Sequence, residues 1–385
     1  MHTTTFQINI PETAVTELQQ KLQAARFPAS LNNNWSAGAP VAYLQRITEY
    51  WLHSFDWRRQ EAWLNQFPQY MTEINGQPVH FVHIRSSRED AVPLLLLHGY
   101  PSSWIEFLEV AEILSEGGNA PFHLVIPSLP GFGFSAVADG AKWDMAQIAF
   151  LLAELMTGLG YERFGIHGTD MGAGICGMLS GMAAHRLIGT HVNTDYTSIT
   201  AMGMLPRDTG SFTEAEQQRI EAFRQYEREG TAYLKMLSTR PQTVAAALAD
   251  SPVALLAWII EKFKYWTNDS KPLPEDAISL DLILTQISMY WFTNTGATSA
   301  YMVYHSMNMT FDWGAPASDE QPSWQPPKVP SAMAAFGGDG PLLQKLLSPM
   351  GAPGRWSAFD EGLHFPAMEC PETLAADISG FFSGL

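Results

Sequence analysis

Three residues in this 385-residue chain stand where they could do covalent chemistry. Asp170 is the centre of Gly168-Thr169-Asp170-Met171-Gly172, between strand-like text that begins at Phe164 and the helical run AGICGMLSGMAA. Small residues two before and two after the central one are what a tight strand-to-helix turn requires, because larger side chains would collide there. Such a turn presents Asp170 at the head of a helix. Taken alone the string fits an ordinary helix cap equally well. Downstream, Asp339 follows the strand-like AMAAF in FGGDG, and His364 follows RWSAFDEGL. Each also has a bland reading: Gly-Gly-Asp-Gly is good turn chemistry, and His364 is one of eleven histidines. Their joint placement after late strands, in the order nucleophile, acid, histidine, favours a triad.

A carboxylate nucleophile narrows the reaction. A serine attacking a saturated carbon would leave an ether that water cannot readily remove, whereas an aspartate leaves an alkyl ester with a carbonyl open to water activated by His364. The substrates this admits are epoxides and alkyl halides. Opening an epoxide produces an alkoxide and needs a positioned acid, while a halide leaves as a stable anion. Tyr233, Tyr290, Tyr301 and Tyr304 are candidate acids, although each singly also reads as a core aromatic. Upstream, His98-Gly99-Tyr100-Pro101 ends the apolar run PLLLL. The Tyr100 and Met171 N–H groups would form an oxyanion hole. The turn-rich Pro127 to Ser135 loop either shapes the pocket wall or reverses the chain.

The elements that must position these residues change character along the chain. Helical spacing from Thr13 to Ala25 and from Val41 to Phe55, with an amphipathic piece to Phe67, predicts a helical N-terminal region. Tyr70 to Ile74 and Val79 to Ile84 flank Asn75-Gly76 and predict a hairpin. From Pro93, short apolar strands alternate with helices (Pro93 to His98, Phe122 to Pro127, Phe164 to Asp170), as in an α/β chain with a mostly parallel sheet. Helical text rich in Met, Trp and Tyr replaces this alternation between about 197 and 327, and ends in a Pro-rich linker, GAPASDEQPSWQPPK. Strand-like text returns at Val329 to Phe336 and Trp356 to Phe359, before a last helix from Pro371 to Phe382. The expected division is 1–92 as N-terminal region and hairpin, 93–196 with 328–385 as core, and 197–327 as inserted helical cap.

Beyond these motifs, the text FPQYMTEINGQPVHFVHIRS, LLLLHGYPSSWIEFLEV, PSLPGFGFS, TRPQTVAAALADSPVALLAWIIEKF and LHFPAMECPETLAADISGFF resembles the microsomal-type epoxide hydrolases, over essentially the whole chain. The resemblance implies an α/β-hydrolase fold with Asp170 as nucleophile, Asp339 as charge-relay acid, His364 as base and Tyr233, eight residues before Pro241, as one of two cap tyrosines. Counted from Tyr290-Trp291, the second tyrosine falls at or next to Val303, so Tyr304 requires a shift of one residue and Tyr301 stays open. Two positions depart from the family: Met171 and Tyr100 each stand where it usually has Trp. Both bear on the substrate more than on the chemistry.

A formal charge of -17 disfavours nucleic acid and anionic membrane surfaces as partners and suits a small, fairly apolar epoxide. Cys176 and Cys370 form no disulfide framework or metal spacing, and the first residues lack signal-peptide character. A cytoplasmic enzyme needing water but no metal or organic cofactor is the expectation, and a homo-oligomer is left open. Two rivals share the scaffold: a haloalkane dehalogenase, and a catalytically silent ligand-binding protein.

Overall fold

The computed structural model describes residues 1–116, 121–268, 270–309 and 329–385. Nine strands form one sheet: β1 (Thr3–Phe6), β2 (Gln69–Ile74), β3 (Gln77–Ile84), β4 (Val92–Leu97), β5 (Phe122–Pro127), β6 (Phe164–Gly168), β7 (Leu187–Thr194), β8 (Ser331–Ala335) and β9 (Arg355–Ala358). Their order is β1-β2-β3-β5-β4-β6-β7-β8-β9. The first three strands and the β3–β5 pair are antiparallel, and every pair from β5–β4 to β8–β9 is parallel. Parallel strands need crossovers, which here are helices covering both faces. The run Leu94 to Leu97 at the sheet's centre is accordingly fully buried.

The N-terminal region is no separate body. Asn75 and Gly76, at φ 53° and 82°, supply the two left-handed residues of the hairpin turn, and β1, β2 and β3 continue the core sheet. Its helices instead reach the cap. Lys21 pairs with Asp250 at 3.1 Å, the Tyr50 hydroxyl donates to Asp281 at 2.9 Å, and Trp51 Nε1 donates to Ser288 at 3.0 Å. The cap helices Glu214–Gly230, Ala232–Thr239, Pro241–Asp250, Pro252–Trp266, Leu280–Phe292 and Thr295–Met307 lie between β7 and β8 in sequence. The Pro-rich linker expected after them falls outside the described residues. Among the described residues, no single helix is long and apolar enough to cross a membrane.

Candidate active site

The turn after β6 has the strain its glycines imply. Asp170 sits at φ 50° and ψ -120°, a conformation L residues rarely adopt, immediately before the helix Met171–Met182. A Cβ on Gly168 would lie 2.4 Å from the Gly172 carbonyl, and one on Gly172 would lie 2.0 Å from the Leu97 oxygen. One on Gly99 would come 2.3 Å from Asp170 Oδ1. The three glycines therefore let β4, β6 and the helix converge beneath one carboxylate. That carboxylate stays 24% exposed among nearly buried neighbours, so it is reachable.

Tyr100 N–H donates to Asp170 Oδ1 at 2.8 Å, as the expected hole requires. Met171 opens the helix, whose first N–H groups have no intrahelical acceptor. The turn is braced from beneath by buried His98. Its Nε2 accepts from Leu129 N–H at 3.2 Å, and burial lowers its pKa to about 4, keeping it neutral and able to accept. The Pro127 to Ser135 loop thereby packs onto the turn, and the Thr298 hydroxyl of the cap donates to Gly131 O at 2.6 Å. It is a wall between core and cap.

His364 Nε2 lies 3.6 Å from Asp170 Oδ2. Its backbone is held by its own N–H on Trp266 O at 3.0 Å, and Glu369 accepts from the N–H of Leu363 at 3.0 Å. The ring packs on Trp266, centroids 4.8 Å apart. Its other nitrogen, Nδ1, meets Asp195 Oδ2 at 3.0 Å. Burial opposes charge on this histidine, but Asp195 and Asp170 on its two sides overcome it and push its pKa up to about 10.

The acid beside His364 is therefore Asp195, which corrects the expectation for Asp339. Asp195 directly follows β7 and caps the helix Tyr196–Ala201, accepting from Thr197 N–H at 2.7 Å and Ser198 N–H at 3.1 Å. It is fully buried. Burial alone would raise its pKa, but His364 and these donors bring it below the usual carboxylate value. Asp339 turns the other way, where both its oxygens accept from Arg219 of the cap, at 2.8 and 2.7 Å. Text of the form Asp-x-Thr-Ser after a strand is a capping signal that could have drawn attention to Asp195.

Tyr233 is the cap tyrosine at the site. Burial first, then the charge of Asp170, raise its pKa well above the ordinary value, and its ring meets Trp266 edge-on at 5.2 Å. Tyr304 and Tyr301 line a cavity of about 510 Å³ whose walls include Thr239 and Arg240, at the end of the helix that carries Tyr233. Val303 beside them is buried at 4% exposure. Tyr290 is a core aromatic whose hydroxyl donates to Ser102 O at 2.7 Å. Among the described residues, no group of three or more His, Cys, Asp or Glu could hold a metal ion.

A mostly parallel sheet carrying Asp170 on a strand-turn-helix elbow makes this an α/β-hydrolase, and residues 92–267 match the model of the alpha/beta hydrolase fold. Residues 3–107 match that of the epoxide hydrolase N terminus. The chain is 39% identical to a putative epoxide hydrolase of Stigmatella aurantiaca, over 99% of its own length and 85% of the relative's. It is 30% identical to epoxide hydrolase 1 of Oryctolagus cuniculus, over 98% and 88%. The solved epoxide hydrolase of Aspergillus niger superposes with a TM-score of 0.82 at 29% identity, covering 100% of this chain and 97% of that one. Juvenile hormone epoxide hydrolase of Bombyx mori gives 0.79 at 28%, covering 100% and 95%. The chain belongs to the epoxide hydrolase family.

Proposed function

We propose that this enzyme opens a small, fairly apolar epoxide to a vicinal diol through an ester on Asp170. The observation that carries the reading is the division of labour on that carboxylate: Oδ1 is held by the Tyr100 N–H, while Oδ2 faces His364 Nε2 at 3.6 Å. Oδ2 attacks an epoxide carbon, the carbon–oxygen bond breaks, and the ring oxygen takes a proton from Tyr233. Oδ1 becomes the ester carbonyl, already in the hole that will hold its negative charge when water adds.

Forming the ester also readies the base. Two anions favour charge on His364, and alkylation neutralises one of them. Its pKa then falls from about 10, its proton returns to the phenolate left on Tyr233, and the neutral imidazole can accept a proton from water. Asp195 remains, orienting the ring through Nδ1 and stabilising the imidazolium as water attacks. The aromatic walls, Tyr100, Tyr233, Trp258 and Trp266, suit an apolar substrate. A reduced, cytoplasmic setting is proposed on two cysteines that are buried and unpaired.

Diol and halide followed in parallel over aryl and alkyl epoxides and haloalkanes test the reaction. Diol from an epoxide, lost by at least about 10⁴-fold in Asp170→Asn, is the expected result. His364→Gln should accumulate protein heavier by one substrate. Halide alone from the wild type would reassign the enzyme to dehalogenation, and no product with any substrate would favour the silent scaffold.

A further inference from the structure

Tyr233 must give up a proton in a place that makes it a weak acid. Burial and the charges of Asp170 and Asp195 all push its pKa well above the ordinary value. Its proton is nonetheless free to move, since among the described residues no acceptor takes the Tyr233 O–H. We propose that Lys262 makes this transfer possible: its buried ammonium, set over the Tyr233 ring, stabilises the phenolate that ring opening leaves behind. Lys262 is thus a positioning residue, acting on the reaction only through Tyr233. The inference rests on the epoxide-opening reading and deepens it.

The placement is set by the helix Pro252–Trp266. Trp258, Lys262 and Trp266 recur at intervals of four residues, so they share one of its faces. Tyr233 lies against that face. Lys262 Nζ is 4.8 Å from the centre of its ring and 5.3 Å from that of Trp258, while Trp266 meets the ring edge-on at 5.2 Å. The same helix buries Leu255, Leu256, Ile259, Ile260 and Phe263. An apolar residue at 262 would be buried at less cost, because an ammonium loses its hydration there. Its salt bridge to Glu261 offsets that loss unevenly: the Lys262 side chain is 4% exposed and that of Glu261 35%. Water screens the anion and leaves the field of the cation directed at the buried rings.

The chemistry of ring opening gives that field a task. Asp170 Oδ2 supplies the electron pair that bonds the epoxide carbon, and the breaking carbon–oxygen bond leaves its pair on the ring oxygen. The Tyr233 O–H bond breaks as its proton joins that oxygen. The negative charge that began on Asp170 therefore ends on Tyr233, beside Lys262, until His364 returns a proton. A cation over an aromatic face is held more strongly the richer the ring is in electrons, and a phenolate is far richer than a phenol. The ammonium thus favours the outcome of proton transfer over the resting state, and an interaction of that kind lowers a barrier.

The test is rapid-quench mass spectrometry of the Asp170 adduct, with a phenyl-substituted epoxide, on wild type, Lys262→Met, Lys262→Gln and Lys262→Arg. The two neutral variants should form adduct about 10- to 50-fold more slowly and hydrolyse it within about 3-fold of wild type, because the charge acts in ring opening. Melting curves identify a neutral variant that fails to fold, and the other then carries the comparison. Lys262→Arg keeps a cation and should recover adduct formation to within about 5-fold of wild type. In a Tyr233→Phe background, Lys262→Met should change the already slow rate by less than about 2-fold, since no phenolate forms there. Wild-type adduct formation by a neutral variant, equal slowing of both steps, or an undiminished Lys262→Met effect without the Tyr233 hydroxyl would overturn the assignment while leaving the reaction standing. A wild-type protein that forms neither adduct nor diol would overturn the epoxide reading and the assignment with it.

Discussion

Two neighbouring strands, β7 and β8, end on the same side of the sheet, and each delivers an aspartate to a cation. Asp195, directly after β7, has no exposed surface and faces His364, while Asp339, after β8, keeps its side chain 13% exposed and faces Arg219, itself 37% exposed. The difference lies in what the partner can do. A guanidinium keeps its charge across the working range and its fork occupies both oxygens of Asp339. In the proposed reaction the imidazole changes its charge during turnover. The donors that share Asp195 are backbone N–H groups and hydroxyls, which satisfy its lone pairs without neutralising it. The first pair is built to stabilise a charge that comes and goes. The second fastens the cap helix Glu214–Gly230 to the core.

The comparison breaks most directly on Asp195→Asn. An amide keeps some of the hydrogen bonds but cannot stabilise the imidazolium, and it can present His364 in the wrong tautomer, so hydrolysis of the Asp170 ester should fall about 10³- to 10⁴-fold. Ester formation should fall much less, so the variant should accumulate adduct. Single-turnover kinetics separates the steps. A variant that hydrolyses the ester at near wild-type rate, with Asp339→Asn showing the defect instead, would return the relay to β8.

Stability against pH sharpens the same contrast. His364 has a folded pKa raised to about 10 against an ordinary value near 6.5. A raised base contributes stability that is fully present below the unfolded pKa and is lost as pH rises through the folded one. Asp195→Asn should therefore cost about 3 kcal/mol near pH 6, and this gap to the wild type should narrow between about pH 6.5 and 10. Asp339→Asn should show no such narrowing, because Arg219 stays charged throughout. Urea midpoints at four or five pH values would decide it; a constant gap for Asp195→Asn would mean that the histidine pair is not linked to folding as described.

How legible each region was from sequence follows from how local its determinants are. The elbow was legible because its glycines record close contacts within a few residues of Asp170, apart from the meeting with Leu97. The hairpin was legible because Asn75-Gly76 sets its own backbone. β7 was not, since LIGTHVNT reads as polar. Its polar groups are satisfied by distant partners, His191 with Asp377 at 3.0 Å and Asn193 with Thr169 at 3.0 Å. Missing that strand hid the residue at its end. Asp339 looked right because turn text after a late strand is a local signal, whereas the Arg219 that claims it lies 120 residues earlier. The choice between Tyr301 and Tyr304 turns on helical phase, which sequence spacing alone does not settle when Tyr301, Val303 and Tyr304 share one helix.

The smallest expected effect is the most discriminating between the two strand ends. Asp339→Asn removes a charge from a pair whose arginine is more than a third exposed, so solvent screening leaves roughly 0.5–1 kcal/mol to lose. Ester formation and hydrolysis should each stay within about 2-fold of wild type, because neither oxygen of Asp339 touches His364. Added to Asp195→Asn, the second substitution should leave the kinetics of the single variant unchanged. A double variant markedly slower than Asp195→Asn alone would show that the two carboxylates act on one histidine, and the separation of relay from fastener would fail.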